Sequence, residues 1–149
     1  MSKKFFKCLA VTLIFVMTLL LPVSAFAATG KVTKTVKGTK VTLSLPAEKG
    51  VVGDNNIKIT LTDKKTKKVI TGSTVSIVVD MDSKSMDSMN MTTTKTVAFK
   101  EGKTKGEYTG TVNFTDEGKW KLKVSFTTGS GKKVKTNTTT FVITTKKSS

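Results

Sequence analysis

The sequence predicts an all-β domain, and three observations support that fold class. Apolar and polar residues alternate with a period of two along most of the chain. The β-branched residues Val and Thr are abundant in the alternating segments, as expected for strands. Clusters of turn-forming residues interrupt the alternation at short intervals. Together they predict an immunoglobulin-like antiparallel β-sandwich of about seven strands, with a small barrel as the structural alternative.

Seven segments carry the alternation and are the predicted strands. In chain order they are KVTLSLP (40–46), NIKITLT (56–62), TVSIVVD (74–80), TVAF (96–99), EYTGTVNF (107–114), KWKLKVSF (119–126) and TTTFVIT (138–144). Their apolar residues share one face per strand and predict a core of Val41, Leu43, Leu45, Ile57, Ile59, Leu61, Val75, Ile77, Val79, Val97, Phe99, Tyr108, Val112, Phe114, Trp120, Leu122, Val124, Phe126, Phe141 and Ile143. Tyr108 and Trp120 each need a hydrogen-bond partner for their polar tip.

Turns are predicted where the alternation stops. The segments are GDNN (53–56), DKKTKK (63–68), EGKTKG (101–106), DEG (116–118) and GSG (129–131). A longer polar segment, MDSKSMDSMNMTT, separates the third and fourth predicted strands and is expected to form a loop at one end of the sandwich. Loops on a rigid scaffold often carry function.

The first 27 residues predict a secretory signal peptide. Lys3, Lys4 and Lys7 precede an apolar run, and Ala25 and Ala27 stand at the positions that signal peptidase reads. The alternative is an uncleaved anchor. We divide the chain into a signal peptide (1–27), a tether or edge strand (28–37), a sandwich domain (38–145) and a flexible tail (146–149). The expected location is outside the cytoplasm, in the cell envelope or secreted, with no stable membrane span after cleavage.

Composition excludes several kinds of chemistry. The net charge is +16, every basic residue is Lys, and neither His nor Arg occurs. The only cysteine, Cys8, lies in the signal peptide, so the remainder has neither a thiolate nor an imidazole for catalysis. We therefore predict that the protein is not an enzyme. The absence of Arg and the export signal also disfavour nucleic-acid binding.

Four of the six methionines fall within eleven residues of the long loop segment. They are Met81, Met86, Met89 and Met91. Thioether sulfur is a soft, neutral ligand, so the cluster predicts a Cu(I) site. The alternative is packing, because Met fills irregular gaps and Met81 shares the predicted inward face of Val79. Hard-ion binding by Asp80, Asp82 and Asp87 is the weakest interpretation, since the segment lacks an EF-hand pattern.

The order of several landmarks resembles the YtkA-like family of small bacterial extracytoplasmic domains, which is related to FixH-type proteins. The landmarks are LPAEKGVVGDNNIKITLTD (45–63), GSTVSIVVDM (72–81), MDSMNM (86–91) and GEYTGTVNFTDEGKWKLKV (106–124). The resemblance implies an immunoglobulin-like sandwich without known catalytic activity and a metal-linked role in the envelope. By position, Met81 matches the family's strand-end methionine, and Met89 and Met91 match its loop pair. Ser and Asp replace the usual Pro, and the lack of His leaves only Cu(I).

Two functional hypotheses follow. The first is a secreted, non-enzymatic module that binds Cu(I) through Met86, Met89 and Met91, with or without Met81. The second is an envelope interaction or adhesion domain whose lysine-rich surface binds anionic cell-wall polymer or a partner protein. The plainer alternative for the lysines is that they keep a β protein soluble and protect its edges.

Overall fold

A computed structural model describes the protein over residues 30–81, 94–129 and 131–147. These residues form nine strands and a short 3-10 helix, Gly131–Lys133, with no α-helix among them. The strands are β1 (Lys31–Val36), β2 (Thr39–Ser44), β3 (Gly50–Val51), β4 (Gly53–Asp63), β5 (Val75–Met81), β6 (Lys95–Glu101), β7 (Glu107–Phe114), β8 (Gly118–Thr128) and β9 (Lys135–Lys146). The predicted all-β class is confirmed.

The strands form one hydrogen-bonded sheet in the order β1-β2-β4-β7-β6-β5-β8-β9-β3. Strand β6 joins the two halves of this sheet. Its residues Lys95–Phe99 pair with β5, whereas Lys100 and Glu101 pair with β7. The sheet therefore curls at β6 into a half-barrel, and the inward faces of both halves enclose a single core.

The core consists of the residues that the alternation placed inward. All of them are buried except Val97, which is partly exposed and packs against the others. The polar tips of Tyr108 and Trp120 both have hydrogen-bond partners. The Tyr108 hydroxyl donates to the Ile70 carbonyl at 3.1 Å and accepts from the Ser73 amide at 3.0 Å. Burial of the ring is therefore achieved without an unsatisfied hydroxyl.

A two-residue turn sets the register of the first hairpin. Lys37 and Gly38 both have positive φ, 45° and 83°, as a type I′ turn between antiparallel strands requires. The turn pairs Val36 with Thr39 and places Lys31 opposite Ser44 at the far end. Strand β1 lies at one edge of the sheet. It falls within residues 28–37, for which the sequence predicts either an edge strand or a tether.

The two sides of the half-barrel meet at a seam between β1 and β9. The Lys34 ammonium on β1 donates to the Thr140 carbonyl on β9 and lies 5.7 Å from the centroid of the Phe141 ring. A charged side chain directed inward at a sheet edge is one way of preventing that edge from pairing with another chain. We infer that Lys34 has this role.

The turn predicted at GDNN is wrong, because Gly53–Asn56 begins β4. The reason lies in the side chain of Asn55, which is buried. Its Oδ1 accepts from the Val51 amide at 3.0 Å, and its Nδ2 donates to the Val51 and Gly53 carbonyls at 2.6 and 2.9 Å. The Asn55 side chain therefore satisfies backbone hydrogen-bonding groups next to the strand and does not end the strand.

Two further differences concern the ends of strands. The two-residue strand β3 has no alternation that could predict it, and it pairs in parallel with the end of β9. Strand β9 runs to Lys146, and the Lys147 amide donates to the Glu117 carboxylate at 2.6 Å. Part of the predicted tail, 146–149, is therefore held against the β7–β8 turn.

Glu101, at the end of β6, ties two turns together. Its Oε1 accepts from the Gly106 amide at 2.9 Å, and its Oε2 accepts from the Gly72 amide at 3.0 Å. The hydrogen bond from Gly106, and then that from Gly72, hold the pKa of Glu101 below its ordinary value, with a smaller contribution from the charge of Lys105.

Glu101→Gln is expected to destabilise the protein near neutral pH but not in acid. Because the pKa is lowered in the folded state, the carboxylate stabilises the fold fully above its ordinary value of 4.5. That contribution is lost as the pH falls through the lowered pKa. Thermal unfolding followed by circular dichroism at neutrality and at about pH 2 measures it. Glu48→Gln, at an exposed site, is the control, and an equal Tm difference at both pH values would contradict the prediction.

Candidate functional site

Of the four methionines proposed as ligands, Met81 lies within the described residues. It is the last residue of β5, opposite Trp120 of β8, and it packs against the core while remaining partly exposed. Met86, Met89 and Met91 lie outside the described residues. The position of Met81 is the one expected for a side chain that caps the core.

The carboxylates near this strand end do not form a metal cluster in the described part of the chain. Asp80 points to the outer face of the sheet, where its register partner on β8 is Lys121. Across residues 30–81, 94–129 and 131–147, no group of three His, Cys, Asp or Glu side chains is arranged to hold a metal ion. Asp82 and Asp87 are outside these ranges.

A row of lysines crosses the outer face of the other half of the sheet. We call it the cross-strand lysine row, and its register runs Lys31, Ser44, Lys58, Thr109, Lys100 over β1, β2, β4, β7 and β6. Lysine and hydroxyl residues alternate along it. Neighbouring strands are about 4.8 Å apart, so successive lysines stand about 10 Å apart at the backbone.

Polar residues flank the row on both sides. On one side Thr33, Thr42 and Thr60 are in register, and the hydroxyls of Thr33 and Thr42 are 3.1 Å apart. On the other side the Thr111 hydroxyl donates to Asn56 Oδ1 at 2.9 Å. The outer face around the row therefore presents hydroxyl and amide groups.

Two hollows lie along the row, one on each side of Lys58. The first has a volume of about 430 Å³ and is bounded by Lys31, Ser44 and Pro46, among others. The second has a volume of about 490 Å³ and extends to Lys100. Lys58 and Asn56 line both. The hollows and the row thus form one polar groove across the strands.

One carboxylate enters this groove. Glu107 Oε2 lies 3.0 Å from the Lys58 ammonium, and the Lys58 side chain is 46% exposed. A pair at this degree of exposure contributes little to stability because water screens it. Its main effect is to hold the ammonium group of Lys58 in the groove.

A second set of lysines lies on the opposite side of the half-barrel. Lys119, Lys121 and Lys123 alternate along β8 and are exposed, and we call them the β8 lysine ladder. Their register partners on β9 are Thr144, Val142 and Thr140, of which Val142 is 51% exposed.

The β8 lysine ladder follows from the alternation of KWKLKVSF, whereas sequence reasoning missed the cross-strand lysine row. The ladder lies within one strand, where alternation reveals it directly. The row joins residues up to 69 positions apart, and only the pairing register brings them together. The available signal was the spacing of hydroxyl and lysine residues on outward positions, which does not give the order of the strands.

A comparison with known families agrees with the order of the landmarks. The YtkA-like family model matches residues 33–125. The chain belongs to the YtkA-like family. The match runs from within β1 through most of β8, and it includes the cross-strand lysine row except for Lys31.

Comparisons of this YtkA-like chain with curated proteins and with solved structures do not indicate a function. No curated protein matches it. It is similar to the crystal structure of a DUF4785 family protein from Legionella pneumophila, with 11% identity and a TM-score of 0.49. That similarity covers 74% of this chain, which spans 29% of the other. Within the described ranges, no helix is both long and apolar enough to cross a membrane.

Proposed function

We propose that this YtkA-like protein is a non-catalytic module of the cell envelope that binds an anionic wall polymer through lysines on its outer sheet faces. The observation that supports the proposal most is the placement of exposed lysines in ordered sets on both outer faces. The cross-strand lysine row lies on one face and the β8 lysine ladder on the other. Both sets lie on hydrogen-bonded strands, so the pairing register sets their spacing at the backbone.

The chemistry of the lysines suits a polymer better than a small anion. Lysine is a strongly hydrated point charge and lacks the planar fork with which Arg binds one phosphate or carboxylate. Each contact at an exposed site is therefore weak. Many weak contacts to one chain add through effective concentration, so a polymer is held where a single anion is not.

An exported protein is needed for this function, and residues 1–27 support export. The charged start, apolar run and Ala25-x-Ala27 ending have the features of a signal peptide. Cell fractionation and N-terminal sequencing of the mature protein test this point. A protein confined to the cytosol would contradict the proposal.

Binding to purified cell walls is expected to fall steeply as salt rises. Exposed charges are screened within about 8 Å at physiological ionic strength and within about 3 Å at 1 M. Co-sedimentation of the protein with walls, over a salt series, measures the effect, and walls stripped of anionic polymer are the control. Retention that persists in molar salt, or equal retention on stripped walls, would rule out the proposal.

Cu(I) binding by the methionine segment is the second candidate, and its support is the grouping of Met81, Met86, Met89 and Met91 within eleven residues of the sequence. Met81 ends β5, so the segment with Met86, Met89 and Met91 continues directly from that strand end. Trp120, the only tryptophan, is opposite Met81 and can report binding by its fluorescence. Cu(I) titration of the wild type and of a Met86, Met89 and Met91→Leu triple variant tests the site. Equal affinities would exclude it.

For the finer architecture, we infer an immunoglobulin-like relationship between the two halves of the sheet. The supporting feature is β6, which pairs with β5 on one side and with β7 on the other, so that the halves lie on opposite sides of the core. An experimental structure in which these halves pack at about 30° to each other would support the inference. A mean crossing near 90° would contradict it.

A further inference from the structure

We propose that the cross-strand lysine row, with the hollows beside Lys58, is where the polymer binds, and that the ligand is a polyol linked by phosphodiesters. The inference deepens the proposed function and rests on it. The chain would lie across the strands, with its phosphates near Lys31, Lys58 and Lys100 and its hydroxyls over the residues between them.

Charge complementarity supports an anionic occupant. The three lysines are exposed, and their spacing along the row, about 10 Å at the backbone, is bridged by flexible four-carbon stems. A linear chain with one negative charge per repeat presents several phosphates along the groove, and the flexible stems let each ammonium group reach one of them. A single compact anion would reach one lysine at a time.

The residues between the lysines support a hydroxylated backbone. Ser44 and Thr109 alternate with the lysines, Asn56 lines both hollows, and Thr60 lines the first. Hydroxyl and amide groups both donate and accept hydrogen bonds, as a polyol does. The described residues that line the hollows include no aromatic ring, so stacking of a sugar ring is not what this groove offers.

The β8 lysine ladder provides the contrasting case within the same molecule. It has three lysines as well, but an exposed valine, Val142, lies beside its central residue. Its lysines are also closer, about 7 Å apart along one strand. The two sets therefore carry equal charge in different surroundings, which allows the general field of the protein to be separated from a local site.

Glu107 gives the groove a second testable feature. Its carboxylate lies 3.0 Å from the Lys58 ammonium and would repel a phosphate that approaches it. An incoming phosphate must share or replace this partner. Glu107→Gln is therefore expected to tighten polymer binding, whereas Lys58→Gln weakens it.

The experiment compares two triple variants of the whole protein at equal net charge. Lys31, Lys58 and Lys100 are changed to Gln in one, and Lys119, Lys121 and Lys123 in the other. The probe is soluble poly(glycerol phosphate), and affinity is measured by calorimetry at physiological salt. The row variant is expected to bind at least about tenfold more weakly than wild type, and the ladder variant less than about threefold more weakly. Circular dichroism checks that both variants fold.

Two further probes identify the chemistry that is recognised. Polyglutamate carries charge without a polyol backbone, and it is expected to bind more weakly and to lose little affinity in the row variant. Vesicles of phosphatidylglycerol present the same glycerol phosphodiester at a lipid surface. Tighter binding to vesicles than to the free polymer would overturn the inference in favour of a membrane surface.

The outcomes separate this inference from the proposed function. Equal losses in the two triple variants would overturn the groove and leave binding by the general positive field. A wild type that does not bind poly(glycerol phosphate) but binds walls in a salt-dependent manner would overturn the ligand class alone. No salt-dependent binding to walls would remove the proposed function, and this inference with it.

Discussion

Trp120→Ala is expected to lower the free energy of unfolding by about 3–5 kcal/mol. The indole is 3% exposed, and its ring centroid lies 5.3 Å from that of Phe114. Removal leaves a cavity at the end of the core where Met81 packs. Denaturant unfolding followed by far-ultraviolet circular dichroism measures the loss, since the variant has no tryptophan fluorescence.

Trp120→Phe is the matched control, and it should cost about 1–2 kcal/mol. The indole Nε1 donates to the Asp116 carbonyl at 3.1 Å and to the Thr145 hydroxyl at 3.2 Å. After the change, the Asp116 carbonyl keeps the hydrogen bond that the Thr145 hydroxyl donates at 2.7 Å. An alanine variant as stable as the phenylalanine variant would show that the indole does not support this end of the core.

Gly106→Ala is expected to destabilise the protein by about 2–4 kcal/mol, because two costs add. The residue has a φ of 75°, which is strained for any residue with a Cβ. That Cβ would also lie 2.6 Å from the Cβ of Val69, a contact that requires movement of the backbone. The Gly106 amide donates to Glu101 and the Gly106 carbonyl accepts from the Leu61 amide, so movement of this residue disturbs both hydrogen bonds.

Gly72→Ala isolates the first of these costs. Gly72 has a φ of 67° and also donates to Glu101, but a Cβ at this position would meet no atom within 4 Å. We expect a loss of about 1 kcal/mol there. Unfolding free energies of the two variants, measured under the same conditions, should differ by at least about 1 kcal/mol. Equal losses would mean that the contact with Val69 relaxes without cost.

The strands and the core could be predicted from the sequence because each depends on local periodicity. In KWKLKVSF, for example, Trp120 and Leu122 are buried and Lys121 and Lys123 are exposed, as the alternation requires. Burying alternate side chains against a shared core favours one face of each strand. The prediction of Val97 as buried was the least accurate, and this residue lies on β6, where the sheet changes from one half to the other.

The cross-strand lysine row could not be predicted because it depends on register between distant strands. A shift of one residue in the β2–β4 pairing would move Lys58 to the inward face relative to Ser44. Hydrophobic patterning fixes which face of a strand is buried but does not give the strand order. The turn predicted at GDNN was wrong for another reason. The hydrogen bonds between Asn55 and Val51 depend on β3, a strand that no sequence pattern predicts.

For the methionine cluster, too, only the part that depends on local periodicity could be predicted from the sequence. The prediction that Met81 shares the face of Val79 and caps the core agrees with its packing at the end of β5. Whether sulfur atoms converge on a metal ion depends on Met86, Met89 and Met91, and that hypothesis stays a prediction to be tested by Cu(I) titration.

Strand β1 gives the groove an unusual dependence on local unfolding. Five of its six residues are exposed, and within the sheet it is paired on one side only, with β2. Edge segments of this kind open with a smaller free energy than core strands. Because β1 carries Lys31, each opening removes one end of the lysine row. A ligand that spans the row must therefore slow amide hydrogen exchange in β1 and β2 more than in β8.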